Sequence, residues 1–74
     1  MARTLVDFWA ALRTVEATSG WRVGQALFNL LEEARPDIAD ALRGTAIDPF
    51  EATDKDDNRY VHAVLYIQQE WDRK

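Results

Sequence analysis

Asp54, Asp56 and Asn58 stand at alternate positions, the spacing with which an EF-hand loop begins to wrap calcium. The remainder of such a loop does not follow. Its sixth position, where the sharp turn needs glycine, is Arg59, and its twelfth, where a bidentate carboxylate closes the shell, is Leu65. These acids therefore read as a solvated loop and as competing caps for the helix after them, with no metal implied.

Covalent and acid–base chemistry find few candidates. The chain has one histidine, His62, one serine, Ser19, and no cysteine, and neither serine nor carboxylate stands at local helical spacing from His62 to complete a triad. Carboxylates are plentiful, but Glu32-Glu33 and Asp56-Asp57 are adjacent pairs, and helical geometry splays neighbours apart. The expectation is a protein that is not an enzyme, with no catalytic residue and no cofactor.

Recognition chemistry is better represented. Arg59, His62 and Tyr66 recur at helical spacing with Gln69 nearby, so a cation, an imidazole and an aromatic share one side of a helix. Either that side is a solvated face carrying one incidental tyrosine, or it is a partner surface. Gln25 and Asn29 form a second candidate: their amides could satisfy backbone groups of a neighbouring loop or receive a partner's peptide groups, and both readings stand. Of the tryptophans, Trp71 fits an inward stripe, whereas Trp9 and Trp21 lie at stripe boundaries and could cap the core or mark an oligomer or partner surface.

Four helices must position these groups. Thr4 can cap a first helix over roughly 5–17, with Asp7 in its first turn and Leu5, Phe8, Trp9, Leu12 and Val15 on one stripe. Thr18-Ser19-Gly20 breaks the pattern, and Ser19 is the expected cap of a second helix reaching about Arg35. There Val23, Ala26, Leu27, Leu30, Leu31 and Ala34 fill one arc, opposite Arg22, Gln25, Asn29, Glu32 and Glu33. Gly24 lies inside the apolar arc, where a glycine costs about 1 kcal/mol relative to alanine, so close approach of another backbone is the favoured reason for it. Pro36 opens a short third helix with Ile38, Ala39 and Leu42 inward, and Gly44 stops it. The last helix is expected to start between Asp54 and Asn58 and to reach about Trp71, with Tyr60, Val61, Val64, Ile67 and Trp71 facing inward.

Between the third and last helices lies an irregular acidic loop. Within it Asp48 is the expected cap of a single helical turn, Pro49 its first residue and Glu51 the reciprocal partner of a capping box, while Phe50 plugs into the bundle and anchors the connection. The fold expected is an all-α single domain over 1–74, a compact orthogonal or irregular bundle of about four helices.

Bulk properties narrow the function further. A chain of 74 residues is near the lower limit for one self-sufficient core. Its net charge of -4, with arginines scattered along the chain, opposes general duplex binding, so direct nucleic-acid binding is not expected. The absence of cysteine removes disulfide frameworks and leaves a reducing cytoplasm as the simplest home. Asp7, Arg13 and Glu16 interrupt the apolar N-terminal stretch, so neither a signal peptide nor a membrane span is expected.

The run GWRVGQALFNLLEEARPDIADALRGTAIDPF resembles a group of small phage and prophage proteins that pair a Gly-Gln-x-x-Phe-Asn helix with Pro-Asp and an Arg-Gly-Thr-x-x-Asp-Pro-Phe segment. The matching positions are Gly24, Gln25, Phe28, Asn29, Pro36, Asp37, Arg43, Gly44, Thr45, Asp48, Pro49, Phe50 and Trp71; the first helix lies outside the motif. The resemblance implies a viral or prophage source and favours an accessory protein that binds and modulates a host or phage protein, such as a host defence or nucleic-acid enzyme. It carries no activity with it. The alternatives from the residues are an acidic mimic of DNA or another nucleic-acid-associated protein, and a small-ligand binder using His62, Arg59 and nearby carboxylates. Partner contacts are expected through the outer faces of the second and last helices, and a homo-oligomer is open.

Overall fold

Residues 4–72 are described by the structure, a computed structural model of the chain. The first helix, α1 (Leu5–Ser19), starts where the Thr4 hydroxyl accepts the Asp7 N–H at 3.1 Å. It runs past the expected end, because the Thr18 hydroxyl folds back onto the Thr14 carbonyl and the left-handed Gly20 closes the last turn.

Ser19 is thus the end of α1 and does not cap the second helix, α2 (Val23–Ala34). Its hydroxyl accepts the Trp21 N–H at 3.1 Å in the connecting turn, and Arg22 at the N-cap makes no side-chain capping bond. The physical reason lies elsewhere in the chain: the Gly24 N–H, one of the orphan donors of the first turn of α2, donates to the Ala52 carbonyl at 3.0 Å. A distant backbone replaces the local cap.

Only Arg35 separates α2 from α3 (Pro36–Leu42). Proline disfavours helical geometry in the residue before it, and Arg35 is accordingly swung out to φ -144, ψ 78, which turns the chain sharply. Gly44, with φ +75, then ends the helical path in a conformation that side chains with a Cβ rarely adopt. The fourth helix, α4 (Asn58–Glu70), is capped by Asp57, whose carboxylate accepts the Arg59 N–H at 2.8 Å. Asp54 is used one turn earlier, accepting the Asp56 N–H at 2.9 Å.

The central element is α2, which packs on both α1 and α3, while α4 packs on α3. Phe8 and Leu12 of α1, Leu27 and Leu31 of α2, Ile38 and Leu42 of α3 and Ile67 of α4 meet in the core. Phe28 is also buried although it lies beside the polar arc, because Phe50 of the 44–57 segment packs on it. In α4 the inward stripe is Tyr60, Ala63 and Ile67, continued by the buried Trp71 at its C-cap. Val61, expected inside, is 42% exposed: it is rotated about 100° from Tyr60, beyond the narrow seam by which α4 touches the bundle. The Cα radius of gyration of 11.1 Å agrees with the roughly 11 Å of a compact chain of this length. Among the described residues there is no strand, and no helix is long and apolar enough to cross a membrane.

Candidate functional site

The acidic 44–57 segment is built on one side chain and one glycine. The Asp48 carboxylate accepts the Gly44 N–H at 2.8 Å and the Phe50 N–H at 3.0 Å, drawing the segment into a tight bend. Asp48 thus caps a single turn that begins at Pro49, as expected, but the turn does not become helix and the reciprocal Glu51 bond is not formed. The Asp48 N–H that Glu51 would have satisfied already donates to the Thr45 carbonyl at 3.1 Å, and the Ala52 N–H closes a simple turn on the Pro49 carbonyl at 2.9 Å. Glu51 is left reaching toward Arg22 at 3.8 Å.

Gly24 is where this bend docks. A Cβ at that position would lie 1.7 Å from the Pro49 carbonyl oxygen and 2.9 Å from the Ala52 Cβ, so the segment seats directly on the backbone of α2. Pro49 is fully buried there, whereas Phe50, expected as the plug, is half-buried and stands edge-on to Phe28 with ring centroids 6.0 Å apart. Arg22 lies over the Phe50 ring at 5.4 Å and Arg43 over the Phe28 ring at 5.3 Å, so the two aromatics are flanked by guanidinium groups. Arg43 is in turn paired with Asp40 and Glu32.

The result is an open groove of about 480 Å³. It is lined by Phe28, Asn29 and Glu32 of α2, by Arg43 at the end of α3, by Gly44, Thr45, Asp48, Phe50 and Glu51 of the segment, and by Arg59 of α4. Arg59 is held by Asp57 in a fork, Nε and Nη2 donating at 3.1 and 2.9 Å, and these bonds keep the Asp57 carboxyl below its ordinary range. A smaller cavity of about 140 Å³ lies on the other side of Asn29, with Val15, Trp21, Leu30 and Glu33 around it.

Of the residues singled out in the sequence, Asn29 and Arg59 meet at the groove, although they come from different helices. Gln25, His62 and Tyr66 are outside its lining. Among the described residues neither Gln25 nor Asn29 makes a side-chain hydrogen bond to the segment; its ties to α2 are the Gly24 N–H and Arg22, whose Nη2 is 3.5 Å from the Phe50 carbonyl oxygen. His62 is exposed, its Nδ1 2.9 Å from the Asn58 carbonyl oxygen, and Tyr66 is half-buried against the core. Trp71 is buried, with Phe8 at 5.1 Å on one side and the Arg35 guanidinium at 5.3 Å on another. The described residues contain no group of three or more histidine or carboxylate side chains placed to hold a metal ion.

Arg22, Glu51 and the depth of Pro49 were not legible beforehand, since nothing local couples α2 to a segment some twenty-five residues away. The one pointer was Gly24, whose place inside the apolar arc implied the close approach of another backbone without saying which. No protein-family model matches the chain, and neither curated proteins nor solved structures include one with significant similarity to it.

Proposed function

We propose that the protein is a non-catalytic accessory protein of phage or prophage origin that binds and modulates a host or phage protein, and that it engages this partner at the groove between α2 and the 44–57 segment. The observation that carries this reading is the convergence of Asn29, Phe50, Glu51 and Arg59 on one open groove. Such a surface offers an aromatic anchor with a polar rim, the composition that partner surfaces favour. The phage-like motif supports the source: its Phe28, Asn29, Arg43, Gly44, Thr45, Asp48 and Phe50 all line this groove. A host defence or nucleic-acid enzyme is the class of partner that fits such a source.

An acidic mimic of DNA receives less support. Arg22, Arg35, Arg43 and Arg59 each sit against a carboxylate and interrupt any array of one sign.

Affinity capture from a bacterial lysate with three forms of the protein tests the reading. A specific partner should be retained by the parent and by a His62→Ala, Tyr66→Ala variant, and lost with Asn29→Arg, which fills the groove from a partly exposed position without touching the core. Retention by Asn29→Arg, with helicity unchanged by circular dichroism, would remove the groove from the function.

A further inference from the structure

We infer that the groove takes an arginine side chain of the partner protein, its guanidinium held by Glu51 and Asp48 beside the Phe50 ring. This deepens the proposed function and rests on the groove being the partner surface.

The argument is one of uncommitted chemistry. Three carboxylates, Glu32, Asp48 and Glu51, line the groove against the guanidiniums of Arg43 and Arg59. Both guanidiniums are already paired: Arg43 with Asp40 and Glu32, Arg59 with Asp57. The backbone N–H groups of Gly44 and Phe50 are taken by Asp48, and the Thr45 hydroxyl donates to the Leu42 carbonyl at 2.7 Å. Donors at the rim are thus largely committed, and so is Glu32, whereas Glu51 and Asp48 have no hydrogen-bonded cation. Glu51 is 71% exposed at its side chain and touches Arg22 only at 3.8 Å, too long for a hydrogen bond. Asp48 receives two neutral N–H groups, and among the described residues no cation lies within ion-pair distance of it.

An anion entering here would find its cations neutralised and the carboxylates repelling it. Glu51 and Asp48 lack a cation in hydrogen-bond contact, and one rich in donors would satisfy both. Arginine fits better than lysine because a planar fork can bond a carboxylate and lie against an aromatic ring together. The molecule makes both contacts with two of its own arginines, Arg43 on Phe28 and Arg35 on Trp71, and the ring contact alone with Arg22 on Phe50.

The probe is a blocked Gly-Gly-Arg-Gly-Gly peptide, followed by heteronuclear NMR on the full chain, with its lysine counterpart and its citrulline counterpart, which is neutral and of the same shape. The arginine peptide should move the amide signals of Asn29, Phe50 and Glu51, the lysine peptide should bind more weakly, and the citrulline peptide should leave them in place. Glu51→Gln should weaken the arginine peptide about fivefold, while Glu33→Gln, the same charge change outside the groove, should leave it unaffected. Equal binding of the citrulline peptide, equal weakening by Glu33→Gln, or displacement of the same signals by inorganic phosphate would each overturn the assignment. If the peptides fail while Asn29→Arg still abolishes capture of the partner, the arginine assignment falls and the groove stands; if Asn29→Arg leaves capture intact, the groove itself falls.

Discussion

Tyr60 shows how one residue can couple this fold to pH. It is buried on the inner side of α4, and burial, with the Glu16 carboxylate adding to it, pushes its phenol from the ordinary value of 10.0 up to about 12. Glu16 itself reaches Lys55 at 3.1 Å with one oxygen, while the other is buried without a hydrogen-bond partner among the described residues. In the unfolded chain the phenol ionises near 10, so the folded state retains a proton that the unfolded state has lost between that pH and about 12. The stabilisation is therefore complete below pH 10 and disappears as pH rises toward 12, a loss on the order of 2 kcal/mol. Urea unfolding of the parent and of Tyr60→Phe, compared from about pH 8 upward, should show the parent's stability falling the more steeply of the two above pH 10. Parallel curves would mean that the phenol is not held neutral by the fold.

At the scale of elements, the 44–57 segment behaves as a fifth packing unit although it contains no helix. Asp48 shapes it, Pro49 seats it, and Gly24 receives it. The glycines of this assembly are needed for different reasons. Gly44 has open space around it and a left-handed backbone, whereas Gly24 has ordinary helical geometry and no room for a Cβ. Alanine at position 24 would bring a gain in helix propensity of about 1 kcal/mol, but the 1.7 Å approach of the Pro49 oxygen must be relieved by moving the whole bend. Gly24→Ala should therefore destabilise the protein by about 3 kcal/mol in urea unfolding, with the amides of Ala52 and Gly24 losing hydrogen-exchange protection first. An alanine variant as stable as the parent would show that the segment does not dock where α2 is bare.

For the whole molecule, a small core leaves its ends to be tied by polar clamps. Arg35, in the joint between α2 and α3, holds Asp37 in a two-bond fork at 3.0 and 2.9 Å, donates to the Trp71 carbonyl at the end of α4, and lies over the Trp71 ring. The Asp37 carboxyl is held below its ordinary range chiefly by that fork. One side chain thereby joins three helices. Arg35→Ala should cost about 2 kcal/mol in urea unfolding, and Arg35→Lys should recover less than half, because an ammonium cannot supply the fork, the carbonyl bond and the stacked plane together. Full recovery by lysine would reduce Arg35 to a point charge.

Much of the architecture was legible in the local pattern. Thr4, Pro36 and Gly44 mark helix ends through their own backbone and hydroxyl chemistry, and the apolar spacing of Phe8, Leu12, Leu27, Leu31 and Ile67 places the core, because these are effects of near neighbours along the chain. A mid-helix glycine at position 24 announced a close approach but not what approached. The start of α2, the burial of Phe28, the shape of the Asp48 bend and the meeting of Asn29 with Arg59 were decided only in three dimensions. Each depends on a backbone group or ring brought from far along the chain, and hydrogen bonds such as Gly24 to Ala52 leave no periodic trace in either segment that makes them.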